Sequence, residues 1–286
     1  MQLVDLQQIT RLPLVEQWER LVSIFAEVSV ESDALDREVG ILLETISQQV
    51  LRSNALTLTQ KMDYFEGLNK LGDPRLSVPS DDAYWVETSV LETPLLVAKY
   101  PVTIKEWLHF LKTDYNNDQH WSESGLQWRN NRRITWEELA AVPDSQKYVF
   151  DNQPVVGVSW YEAEAYAMAH GARLMEFFER EEIVRGEEGR RYPWGRSFKH
   201  GYANTEETGL DKPSAVGFFW MDQTPEGIFD LAGNVAEWLG DDMDDERLMH
   251  PGCWANGTIS TWVKASEQLS PNARLAYLGF RLVKDQ

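Results

Sequence analysis

Across residues 14–71 the apolar side chains return at helical spacing, with Leu14, Trp18, Leu21, Val22 and Phe25 in one segment and Leu35, Val39, Leu42, Leu43, Ile46 and Val50 in the next. That period predicts two or three amphipathic helices, each turning one face inward. Ser32 and Asp33 suit an N-cap ahead of the second helix. Residues 56–71 make a third candidate, ended by Gly72-Asp73-Pro74. Glycine and proline there predict a turn into an extended connector running through Pro79. The expected organisation is a small helical domain, residues 1–75, followed by a larger domain, residues 76–286.

In the larger part the pattern is shorter and less regular. Residues 84–90 and 95–100 read as paired strands, and residues 104–113 as a helix with Trp107, Phe110 and Leu111 inward. Residues 115–152 read as a long polar loop with one short helix near Trp136. Helices are expected at 160–170 and 175–186, and beyond Tyr192 mostly loops and short strands. The class is α+β and loop-rich. Twelve tryptophans among 286 residues suit it, since wide flat rings fill irregular gaps between loops.

The formal charge of −19, from 27 basic against 46 acidic side chains, argues against direct nucleic-acid binding, which needs a positive footprint. It favours a partner protein with a basic surface, or cation uptake. Arg129-Asn130-Asn131-Arg132-Arg133 is a basic cluster expected on a surface loop, and the run from Asp241 to Glu246 is expected to be a solvated loop. Cys253 is the sole cysteine, which excludes an intrachain disulfide. Residues 1–5 lack the features of a signal peptide and no stretch approaches the roughly 20 apolar residues that span a bilayer, so the expectation is a cytoplasmic protein without a membrane role.

Five stretches carry a resemblance. They are Tyr100-Pro101-Val102-Thr103, Pro154-Val155-Val156-Gly157-Val158-Ser159-Trp160, Tyr192-Pro193-Trp194-Gly195, Gly233-Asn234-Val235-Ala236-Glu237-Trp238 and Leu278-Gly279-Phe280-Arg281. Together, and in this order, they resemble the formylglycine-generating enzyme (sulfatase-modifying factor) family. The resemblance implies a variant of the C-type lectin fold. In that family two cysteines bind copper(I), a soft ion that selects thiolates. The matching stretch here looks like Pro251-Gly252-Cys253-Trp254, which puts Asn256 and Thr261 where the cysteine pair would fall. Copper is therefore not expected. Residues 1–108 contain no histidine, so the iron triad of the related sulfoxide synthases is missing as well.

The resemblance also implies structural Ca2+ in loops, held by hard oxygen ligands. The ligands carried over are the Asn204 side chain and Thr205 carbonyl in one loop, residues 202–209, and Asn234 or its neighbours' carbonyls, Gly233 among them, with Glu237 in the other, residues 233–237. Residues 173–181 depart from the usual Arg-Leu-Pro-Thr-Glu-Ala-Glu-Trp-Glu, keeping Arg173, Leu174, Glu179 and Glu181. The match weakens most over residues 250–277, where Trp254, Asn256, Thr258, Thr261, Trp262, Asn272 and Tyr277 offer aromatic and small polar groups suited to a protein surface.

Three functions stay open at this point. The first is a non-catalytic protein-binding or regulatory module, a pseudoenzyme within a bacterial regulatory or defence assembly. The second is a metal- or oxygen-dependent modifying oxidoreductase with unconventional ligands. The third is the ligand-display variable protein of a diversity-generating retroelement.

Overall fold

A computed structural model describes residues 3–27, 36–88, 90–91, 93–132 and 150–286. The chain divides into two compact units, residues 1–77 and 78–286.

In the first unit the helical spacing becomes α1 (Leu3–Ile9), α2 (Leu14–Glu27), α3 (Arg37–Arg52) and α4 (Leu58–Asn69). Helix α1 was not anticipated, because seven residues are too few for a period to show. Ser32 and Asp33 lie outside the described residues; the side chain of Asp36 caps α3 by accepting the amides of Glu38 and Val39. Thr57 and Gln60 close a reciprocal capping box on α4. The apolar faces meet through Leu21, Phe25, Leu43, Ile46, Tyr64 and Phe65, all 1% exposed or less. After α4 the chain does not run free: Asp73 and Arg75 form a buried ion pair at 2.5 Å, and the Arg75 guanidinium lies 4.3 Å from the centre of the Phe65 ring.

The second unit holds two small sheets. Strands β1 (Trp85–Thr88), β2 (Leu95–Ala98), β3 (Arg173–Leu174) and β8 (Leu282–Asp285) form one in the order β1-β2-β8-β3, all antiparallel. Strands β4 (Ala236–Met243), β5 (Glu246–His250), β6 (Glu267–Leu269) and β7 (Leu278–Phe280) form the other in the order β6-β5-β4-β7, with β4 and β7 parallel. Helices α5 (Ile104–Thr113), α6 (Glu123–Asn131), α7 (Trp160–Ala169) and α8 (Phe177–Arg185) complete the unit. Thr103 with Glu106 and Ser159 with Glu162 form capping boxes that start α5 and α7.

Tryptophans lock these pieces together. The Trp238 indole donates to the Val158 carbonyl at 2.9 Å, and the Trp160 indole donates back to Leu239 at 2.8 Å. The start of α7 is thereby tied to β4. Gly279 permits the close approach behind them, since a Cβ there would lie 2.3 Å from the Val155 carbonyl oxygen.

Two expectations for this unit need correction. Residues 123–131 form α6, capped by Ser122 and turning Trp128 inward, so Arg129 belongs to a helix; it donates to the Tyr115 carbonyl and pairs with Asp118. A helix with few apolar residues and an internal glycine gives almost no periodic signal. The expected helix near Trp136 lies outside the described residues. The acidic run is solvated as expected, but it is the end of a hairpin whose turn is Asp244-Asp245, with Asp241 accepting the Phe177 amide and Asp242 paired to Arg247 at 2.7 Å. Pairing with β5 extends β4 past the core, and the like charges are accommodated outside it.

Chain direction switches between the sheets at one residue, Arg281, which sits between β7 and β8. Its guanidinium is 1% exposed at the side chain and pairs with Glu237 at 2.8 Å. It also donates to the carbonyls of Ala98 at 2.9 Å and Phe229 at 2.6 Å. Breaking such a buried pair costs about 3–5 kcal/mol, because the remaining charge is left without compensation. Arg281→Met and Glu237→Leu should each lower stability in urea by that order, and the double variant by less than their sum.

Candidate functional site

The loop from Trp254 to Trp262 is held from several sides at once. Beneath it, His250 accepts the Gly252 amide on Nδ1 at 3.2 Å, which leaves Nε2 as the donor to the Trp262 carbonyl at 3.2 Å. Burial, with the Arg180 charge adding to it, pushes His250 well below the usual histidine range, so the neutral ring fits this role. Beside the loop, Glu207 accepts both the amide and the hydroxyl of Thr258. Burial alone would raise the Glu207 carboxyl; the hydrogen bonds from Thr258 and Thr205 overcome it and hold the group at about 2. Further anchors are Glu206 N–H to the Asn256 carbonyl at 3.1 Å, Val263 N–H to the Arg191 carbonyl at 3.1 Å, and Trp254 N–H to the Asn234 carbonyl at 3.0 Å.

What this frame presents is apolar. Ile259 is 84% exposed and Trp262 39%. Together with Arg191, Tyr192 and Thr258 they line a shallow open cavity of about 420 Å³. Tyr192 stacks on Trp194 with centroids 5.3 Å apart, which continues the aromatic wall.

The seven residues assigned to a binding face are only partly brought together. Thr258 and Trp262 line the cavity. Thr261 is buried and donates to the Thr258 carbonyl at 2.7 Å, while Asn256 donates to Pro251 at 2.8 Å, so both shape the loop from within. Trp254 and Tyr277 pack against the core, and Asn272 bonds Ser270. Ile259, Arg191 and Tyr192 were missed. An isoleucine among Gly257, Thr258, Ser260 and Thr261 was the available signal, because nothing periodic in that stretch would bury it.

At the positions where a copper-binding thiol pair would stand, Asn256 and Thr261 spend their side chains on backbone carbonyls. Cys253 is fully buried, and burial pushes its thiol up to about 11. A single thiol held protonated at neutral pH cannot supply two thiolates.

The oxygen set for calcium is divided. Asn204 and Asn234 do meet: Asn204 Nδ2 donates to Asn234 Oδ1 at 3.3 Å, and Ser214 N–H donates to the same oxygen at 2.9 Å. Asn204 Oδ1 is a buried acceptor without a hydrogen-bond partner. Gly233 lets the strands of this turn close, since a Cβ there would lie 2.5 Å from the Asn204 carbonyl oxygen. That same carbonyl accepts the Asn234 amide at 2.9 Å. Thr205 stands buried beside it, and its amide bonds Thr208. Glu237, the one carboxylate of the five, belongs to Arg281. Among the described residues no three His, Cys, Asp or Glu side chains converge as metal ligands. Of the side chains named for calcium, Asn204 offers an open buried oxygen, while Glu237 is engaged by Arg281.

The anchoring of the loop carries a pH dependence with a definite sign. The Glu207 carboxyl lies below its ordinary value of 4.5, so its hold on Thr258 is complete above that pH and is lost as pH falls towards about 2. Amide exchange protection at Thr258 should fall over that window, and Glu207→Gln should lower it at neutral pH, because a charged acceptor is the stronger one.

The family model described as "Sulfatase-modifying factor enzyme 1-like domain" matches residues 72–286. Among curated proteins, the hercynine oxygenase of Mycobacterium tuberculosis is 32% identical over 163 residues, 52% of this chain and 38% of that protein. The inactive C-alpha-formylglycine-generating enzyme 2 of Bos taurus is 31% identical over 182 residues, 56% of this chain and 59% of that protein. The chain thus spans less than two thirds of the length of either. Among solved structures, PvdO from Pseudomonas aeruginosa superposes with a TM-score of 0.50 at 18% identity, over 68% of this chain and 81% of that one, a likeness of fold. Among the described residues no helix is long and apolar enough to cross a membrane. With the two sheets, the tryptophan locks and the Glu237–Arg281 pair all falling inside the matched region, the chain belongs to the sulfatase-modifying factor enzyme 1-like domain family.

Proposed function

We propose that residues 78–286 act as a protein-binding module that has kept the scaffold of its family and given up thiol–copper chemistry. The observation that carries this reading is the 254–262 loop, which is fastened at both ends and along its side yet holds Ile259 and Trp262 out to solvent. Apolar groups presented on a prearranged loop bind with little ordering cost, which is the usual make-up of an interface anchor. The name of the bovine relative, an inactive formylglycine-generating enzyme, supports a non-catalytic member; the hercynine oxygenase shows that other relatives are enzymes. The net charge of −19 favours a partner with a basic rim around an apolar centre.

Two measurements test the reading. Captured from the native cell with wild-type protein as bait, the partner should be lost with either Ile259→Asp or Trp262→Ala. Against purified partner, each variant should weaken binding by at least about 30-fold, as expected of a central anchor. Equal binding by both variants removes the proposed face. Incubated with copper(I) and a cysteine-containing peptide, the pure protein should leave the cysteine unoxidised; turnover would restore the oxidoreductase reading.

A further inference from the structure

The loop from Trp254 to Trp262 runs between groups of opposite charge. At its start the Glu206 amide donates to the Asn256 carbonyl, and the Glu206 and Glu207 carboxylates each lie 3.4 Å from where a Cβ on Gly257 would stand. At its end the Val263 amide donates to the Arg191 carbonyl, and the Arg191 side chain lines the same open cavity as Ile259 and Trp262. The apolar pair therefore stands between a negative edge and a positive one.

Arg191 differs from the cations around it. Arg185 and Lys264 each pair with Glu181 at 3.1 Å, Arg190 donates to the Val184 carbonyl at 2.9 Å, and Arg196 donates to the Glu188 carbonyl at 2.9 Å. Among the described residues the Arg191 guanidinium makes neither an ion pair nor a hydrogen bond, although its backbone is fixed through the amide to Gly195 and through the carbonyl to Val263. It is an exposed fork of donors at the rim of an apolar hollow. In a chain of net charge −19 this is a local reversal of sign, and its complement is a carboxylate, which a guanidinium meets through two parallel hydrogen bonds.

The amides of the loop are already spent, Asn256 on Cys253, Thr258 on Glu207, Ser260 on Gly257 and Val263 on Arg191. A chain-terminal carboxylate is captured by a nest of unengaged amides, which these four do not offer. The acid that fits is a side chain on a segment passing across the loop.

We propose, on the reading of this loop as a protein-binding face, that it takes an internal linear segment of the partner in which Asp or Glu lies beside a large apolar side chain. The apolar group sits against Ile259 and Trp262, and the carboxylate on Arg191. Basic residues on the other side of the apolar group meet Glu206, so the two charged edges fix the direction in which the segment lies.

The test is selection of random linear peptides, displayed with both ends blocked, on the immobilised full chain, with the Ile259→Asp chain as counter-selection. Peptides enriched on wild type should carry Asp or Glu beside Leu, Ile, Phe or Trp. For a synthetic capped peptide of the commonest sequence, an amide in place of its carboxylate or Arg191→Gln in the protein should each weaken binding by about 10-fold, as expected for one charge-assisted contact. Both changes together should cost little more than either alone. Arg191→Glu should weaken binding further, and lysine at the acidic position of the peptide should recover it; the variant should keep the wild-type Tm, since this guanidinium holds nothing in the fold. Enriched peptides without an acidic residue, a bound peptide indifferent to Arg191→Glu, or a charge exchange that recovers nothing would each overturn the proposal and leave the loop a binding face. Failure to enrich any peptide over the Ile259→Asp chain would remove the face itself, and the proposal with it.

Discussion

The pairing of Arg281 with Glu237 is the constraint on which the larger unit turns. Parallel pairing of β4 and β7 sets Glu237 opposite Gly279, and the chain crosses to the other sheet two residues later. The guanidinium that makes the crossing binds the carboxylate of one sheet and the carbonyl of Ala98 at the end of β2 in the other. Two sheets of four short strands bury little area between them, and buried charges are stable only when their hydrogen bonds are fully made. Here the charge pair and the sheet crossing specify each other. Removing either partner would leave a bare ion in the interior.

The 254–262 loop inherits its anchoring from that arrangement. Strand β5 pairs with β4, His250 ends β5, and from there the ring reaches the Trp262 carbonyl. The other end of the chain of contacts passes through the 204–209 segment, whose Glu206 and Glu207 hold Asn256 and Thr258. A loop fixed in this way can vary the side chains it exposes without altering its path. That separation of frame from face lets the family frame persist while Ile259 and Trp262 face solvent.

Much of the architecture was readable before any coordinates. The periodic segments at 14–25, 35–50 and 56–71 correspond to α2, α3 and α4, and the alternating stretches at 84–90 and 95–100 to β1 and β2. What escaped were elements whose local signal is weak. Helix α6 has a glycine and few apolar residues, and α1 is two turns long. The acidic run read as a loop because charge dominates its composition, yet it pairs as a hairpin because its partner strand begins immediately after.

The site was less legible than the fold. Thr258 and Trp262 were placed in it from sequence, whereas Arg191 and Tyr192 come from about 70 residues upstream and join only because Val263 pairs with the Arg191 carbonyl. By itself the sequence determined the strongly periodic helices, the mixed class, the family motifs and the absence of a second thiol, since each is set by residue type and spacing along one short stretch. Only the tertiary structure decided that Glu237 belongs to Arg281, that Arg180 is buried against the Leu231 carbonyl, and that Ile259 stands in solvent. Those outcomes depend on which distant charges and carbonyls share the interior, and pairing across long sequence separation leaves no trace in local periodicity.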